Sequence, residues 1–204
     1  MHSKAQHSAW SLPFALCLVL LSQTEGSAAT IINFDGLSDS EIVTNQFAGL
    51  TFSNTTALTA GVSLNEFEFP PRSDFNVVMD DGGAISILFN SPVLSVSGYF
   101  TYLSSLTFTA FDSGATQVGQ TTSLFSSNLV LSGDPGSSAN ELLTVSFAGG
   151  ISSVTISGDP MGGSFTLDDL RVEPLATTVP EPSSTLLFIS GVLAVGVLRH
   201  FKTI

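Results

Sequence analysis

Between Thr30 and Glu173 apolar and polar residues alternate with a period of two, and no run at helical spacing interrupts them. Successive side chains of a strand point to opposite faces, so this alternation marks half-buried β-strands. Candidate strands are Thr30–Phe34, Leu50–Ser53, Phe75–Met79, Ala84–Phe89, Leu94–Thr101, Leu106–Phe111, Gln117–Thr121, Asn128–Ser132, Leu142–Phe147, Val154–Ser157 and Ser164–Val172. Gly, Asn, Asp and Pro clusters separate them, as at Asn90-Ser91-Pro92, Gly133-Asp134-Pro135-Gly136 and Ala148-Gly149-Gly150. Asp80-Asp81-Gly82-Gly83 reads as a hairpin turn. Short strands at this spacing predict an all-β fold, a two-sheet antiparallel sandwich of jelly-roll type.

The same alternation names the core. Leu106, Phe108 and Ala110 share one face, as do Ile85, Ile87 and Phe89, and Leu143, Val145 and Phe147. Most of the 16 phenylalanines therefore read as packing between sheets. Sugar-binding platforms favour Trp and Tyr, and the one tryptophan, Trp10, lies far upstream of the strands. Tyr99 and Tyr102 remain as platform candidates, with core or rim packing as the competing role.

Charge narrows the partners. The chain carries 17 Asp and Glu against 5 Lys and Arg, a formal net charge of -12. Between Thr30 and Thr178 the only basic side chains are Arg72 and Arg171. Such a surface repels phosphate backbones, which argues against nucleic acid as a partner. The same stretch has no His, Cys or Lys. That excludes Ser-His-Asp and Cys-His catalysis, Schiff-base chemistry and His-based metal sites there. Only carboxylates remain for acid–base work, so the expectation is a non-enzymatic protein. A carboxylate-based glycan-active enzyme is the alternative.

The two ends read as addresses rather than fold. Residues 1–29 have the layout of a secretory signal peptide: Lys4, an apolar run through Leu12–Leu21, then Ser27-Ala28-Ala29. Signal peptidase would cut between Ala29 and Thr30. Cys17 is preceded by Leu16 rather than a small residue, which argues against a lipoprotein anchor. The β domain then occupies 30–173. A Pro- and Thr-rich linker follows at 174–184, an apolar segment at 185–198 and a basic tail at 199–204. At 1.5 Å per residue the apolar segment spans only ~21 Å as a helix, marginal for a bilayer. Arg199, His200 and Lys202 would hold the tail on the cytoplasmic side. Val179, Pro180, Glu181 and Pro182 form an extended stretch at the outer membrane face, within reach of a membrane-embedded protease.

Pro180-Glu181-Pro182, the apolar run with its interior Gly191 and Gly196, and the terminal basic cluster resemble the PEP-CTERM sorting signal of exopolysaccharide-producing Gram-negative bacteria. Members usually end in several arginines, and here Arg199, His200, Phe201 and Lys202 stand in their place. The resemblance implies processing by an exosortase. The chain would be exported, pass an inner-membrane intermediate, and reach the cell surface or extracellular matrix. A plain C-terminal anchor carrying a purely structural coat protein is the alternative.

Four pieces of the domain resemble the β-sandwich ectodomains of that class, whose layout is similar to carbohydrate-binding jelly rolls. They are Asn33–Leu37, Gly49–Phe52, Phe89–Val93 and Phe165–Val172. Polysaccharide is the partner this implies. Within the last piece the inward phase changes across Asp168-Asp169, from Phe165 and Leu167 to Leu170 and Val172, as a β-bulge would produce. In the related jelly rolls the first and last strands lie side by side. That arrangement would bring Asp35, Asp39 and Glu41 near Asp168 or Asp169, where oxygen donors could hold a structural Ca²⁺. The competing reading is acids in turns plus an Asp that caps backbone. Asn54-Thr55-Thr56 matches a glycosylation sequon, which has little force in a bacterial chain.

Overall fold

The computed structural model describes residues 28–175. The expected linker beyond Leu175, the sorting motif, the apolar segment, the basic tail and all but the end of the signal peptide lie outside them. Among the described residues the fold is all-β, with nine strands and no helix. The strands are β1 (Thr30–Ile32), β2 (Leu50–Ser53), β3 (Thr55–Thr59), β4 (Asn76–Asp81) and β5 (Ile85–Tyr102). They continue with β6 (Thr107–Phe111), β7 (Gln117–Thr122), β8 (Glu141–Ser157) and β9 (Gly162–Pro174). Every pairing between them is antiparallel.

Two long strands join two layers. The first half of β5 pairs with β2 on one side and with the second half of β8 on the other. The second half of β5 pairs instead with the first half of β8 and with β9. One layer thus runs β7–β6–β8–β5–β2, and the other β3–β4–β9–β5–β8 with β1 beside β9. The expected pairs Ala84–Phe89 with Leu94–Thr101, and Leu142–Phe147 with Val154–Ser157, are therefore continuous strands that bend. Pro92 has no N–H to give the ladder, and β5 slips register around it. Gly150, at φ 95, marks the corresponding bend in β8.

The layers close over one core. Phe100, from the second layer, meets Phe108, from the first, with ring centroids 5.7 Å apart and edge to face. Ile85, Ile87, Leu106, Phe108, Ala110, Val154, Ile156 and Leu167 are fully buried, as the alternation requires. Phe147 is only partly buried, and Phe67 and Phe75 are exposed, so not every phenylalanine packs between the layers.

Three expectations change. Residues Thr55–Thr59 form β3, although the sequence pattern there marks no strand. Asn128–Ser132 is not a strand. Its buried Asn128 extends the β5 ladder with a side-chain amide instead, accepting the N–H of Tyr102 at 2.7 Å and donating to the carbonyl of Phe100 at 2.9 Å. Nor is Asp80–Gly83 a hairpin, because β4 and β5 do not pair and the turn passes between layers. Asp80 is fully buried and accepts the N–H groups of Ser164 and Phe165 at 2.7 and 2.9 Å and the Ser164 hydroxyl at 2.7 Å. Burial raises its pKa despite those donors.

Candidate functional site

Four of the five sequence-derived acids, Asp35, Asp39, Asp168 and Asp169, gather around one segment. Residues 60–75, between β3 and β4, form a strap over the outer side of the β3–β4–β9 layer. Its own Leu64 is buried, and Leu64 and Phe69 of the strap with Leu58 and Met79 of the sheet line a cleft of about 130 Å³ there. Carboxylates tie the strap down by its backbone. Asp168 Oδ2 accepts the N–H groups of Arg72 and Ser73 at 2.7 and 2.8 Å, and Oδ1 accepts that of Asp169 at 2.7 Å. Asp169 accepts the Ser73 hydroxyl at 3.0 Å. Asp35 Oδ1 accepts the N–H groups of Phe75 and Asn76, each at 3.1 Å. Asp39 holds the strap's origin, accepting the Thr59 N–H at 2.9 Å and the hydroxyls of Ser63 and Ser40.

The expected bulge is present. β9 slips one residue against β5 between Ser97 and Tyr99, so Asp169 and Leu170 stand opposite Gly98, and Asp169 takes φ 46. The slip turns Asp168 toward the strap. β1 and β9 lie side by side, with Thr30 opposite Val172. Burial pushes the Asp168 carboxyl up to about 6, against the pull of its amide donors and with a smaller push from Asp169.

Among the described residues no three His, Cys, Asp or Glu side chains form a metal-holding group. Glu41 turns to its own loop, accepting the Ser38 N–H and the Gln46 amide, each at 2.9 Å, which lowers its pKa. Hydrogen bonds from Ser63, Thr59 and Ser40 likewise lower that of Asp39. Asp35 Oδ2 is buried without a partner. Asp168, Asp35 and Asp39 each accept backbone N–H groups.

The two tyrosines separate. Tyr102 is fully buried and its hydroxyl bonds to Glu141; burial, reinforced by that carboxylate, pushes the phenol up to about 12. Tyr99 points outward from the second layer, opposite Asp168 on β9 and Leu142 on β8. The Arg72 guanidinium lies 4.7 Å above its ring centroid, a cation–π contact delivered by the strap.

The outer face of the first layer has a different character, which only register reveals. One row across five strands reads Ser53, Ser86, Thr155, Thr109 and Gln120. The next reads Thr51, Leu88, Ser153, Phe111 and Gln117. Ser157, Thr107 and Thr122 begin a third. Every one is at least partly exposed, and none carries a charge. In β2, β6 and β8 the pattern shows in sequence as alternating Ser or Thr, yet nothing in a single strand says that the rows align. A second cleft, of about 230 Å³, lies at the β1–β2 end among Thr30, Leu50, Phe89, Val93 and Val172.

No protein-family profile matches the chain, and no curated protein matches it. Among solved structures the chain is similar to the K2 cleaved adhesin domain of Lys-gingipain, at 14% identity over 71% of this chain and 99% of that one, with a TM-score of 0.45. It is similar to the K1 cleaved adhesin domain of the same protein from Porphyromonas gingivalis, at 10% identity over 72% and 99%, with a TM-score of 0.44. A third is the family 11 carbohydrate-binding module from Clostridium thermocellum in complex with a mixed-linked tetrasaccharide, at 11% identity over 72% and 98%, with a TM-score of 0.33.

Proposed function

We propose that this chain is an exported, non-enzymatic cell-surface or extracellular-matrix protein that associates with polysaccharide through the outer face of its β7–β6–β8–β5–β2 layer. One observation carries the reading: a sheet face five strands wide bears hydroxyls, amides and two apolar side chains, and no charge, on a chain of net charge -12. Neutral sugars are recognised by hydrogen bonds and apolar contact, and a charged side chain under them would lose hydration without a partner. An open face suits an extended glycan better than the deep pocket of a small-molecule site.

The absence of His, Cys and Lys between Thr30 and Thr178 supports a non-catalytic role. So does the burial of Asp80 and Asp168, whose oxygens accept backbone N–H groups instead of facing solvent where a substrate could reach them. The connectivity is of jelly-roll type in this reading, with the last strand beside the first. Export by signal peptidase and processing by an exosortase at Val179–Pro182 rest on the sequence of the two ends, as does passage through the inner membrane.

Two measurements test the proposal. Affinity electrophoresis in a neutral β-glucan should retard the wild-type domain, and Thr155→Glu, at the centre of the face, should abolish the retardation without lowering thermal stability. Equal retardation of both would sink the binding face. Mass spectrometry of the exported protein should find a C-terminus upstream of the apolar segment; an intact Ile204 would count against sorting by cleavage.

A further inference from the structure

Arg72 and Arg171 are the two basic side chains of the domain, and both lie on the outer side of the β3–β4–β9–β5–β8 layer. Arg171 is paired with Glu173 at 2.8 Å. Arg72 makes no ion pair among the described residues, despite the excess of acids. Its neighbour Asp168 spends both oxygens on the backbone of Arg72, Ser73 and Asp169 rather than on the guanidinium. The fold thus uses the nearby carboxylate to place the backbone of the arginine, and among the described residues no carboxylate pairs with its guanidinium.

We infer that Arg72, stacked on Tyr99, anchors a second subsite that takes the carboxylate of an acidic sugar. This inference rests on the reading of the protein as glycan-associated and adds a ligand class and a separate location to it. Pro70 and Pro71 precede Arg72, and Asn140 holds the Pro70 carbonyl at 3.1 Å, so the backbone is fixed before any ligand arrives. Less ordering then remains to oppose binding. The guanidinium carbon lies over the ring, and the planar fork of N–H groups around it suits a bidentate carboxylate. Leu142, opposite Tyr99 in register and 53% exposed, offers apolar contact to a sugar ring. One row along, Ser97 stands opposite Thr144, adding hydroxyl donors. The net charge of -12 opposes a long polyanion at a distance, so a short acidic oligosaccharide is the suitable probe.

The test is calorimetric titration of the domain with trigalacturonate and with its methyl ester, which keeps the shape and removes the charge. The wild-type domain should bind the acid form about 10-fold or more tighter than the ester, the range for a charge-assisted hydrogen bond. Arg72→Gln should erase the difference, Arg72→Lys should keep part of it, and Thr155→Glu should leave it intact; thermal melts of each variant control for folding. Equal binding of both forms, discrimination that survives Arg72→Gln, or no binding of the acid form while the neutral glucan still binds would overturn the subsite alone. Loss of binding to every glycan would instead overturn the underlying functional reading.

Discussion

Acidification from about pH 7 to about pH 5 should stabilise this domain, with Asp168 as the principal source. Its folded pKa is about 6, raised from 3.8, chiefly by burial. A raised carboxyl takes up its proton in the native state before the unfolded chain does. Its contribution to stability therefore grows as pH falls through about 6 and levels off near 4. Integrating the two titrations between pH 7 and 5 gives about 1 kcal/mol from this group. Asp80 is raised for the same reason and acts in the same direction. Asp39, Glu41 and Glu173 have lowered values, so what they contribute is lost only below the ordinary carboxyl range and turns the curve down there. Urea unfolding at a series of pH values reads the slope, and Asp168→Asn should flatten it whatever that variant does to absolute stability. A curve that falls from pH 7 to 5 would refute the reasoning: it would mean that the amide donors of Arg72, Ser73 and Asp169 outweigh burial. A rise unaltered in Asp168→Asn would assign the effect elsewhere.

Two adjacent glycines provide a controlled pair. A Cβ on Gly162, at φ 80, would sit 2.5 Å from the Gly82 backbone N, whereas one on Gly163, at φ 68, meets nothing within 4 Å. Gly163→Ala should cost about 1 kcal/mol of conformational strain, and Gly162→Ala about 3 kcal/mol once overpacking is added; equal losses in denaturant unfolding would contradict this. Asn128→Ala leaves the Tyr102 N–H and the Phe100 carbonyl without partners in the core and should cost about 2–4 kcal/mol in the same assay. Phe108→Ala removes a fully buried ring from the contact between layers and should cost about 3–5 kcal/mol, with a matching fall in melting temperature.

Alternation alone determined the all-β class and the inward set, because period two states which side of a strand a residue occupies. Leu106, Phe108 and Ala110 are buried for that reason, and the phase change at Asp168-Asp169 was legible as a bulge. Composition likewise removed His, Cys and Lys chemistry from the domain without any reference to shape. What alternation cannot state is which strand lies next to which. Asp168 reaches Arg72 and Ser73, and Asp80 reaches Ser164 and Phe165, across intervals of 84 to 96 residues. The sequence brings the same acids near one another and leaves calcium and backbone capping open; the amide partners exist only once the strap has folded over the sheet. The uncharged rows from Ser53 to Gln120 depend on the register of five strands, and the Arg72–Tyr99 stack depends on the strap crossing β5. Tertiary structure decided these because each requires two distant segments to meet, and neither segment carries the other's address.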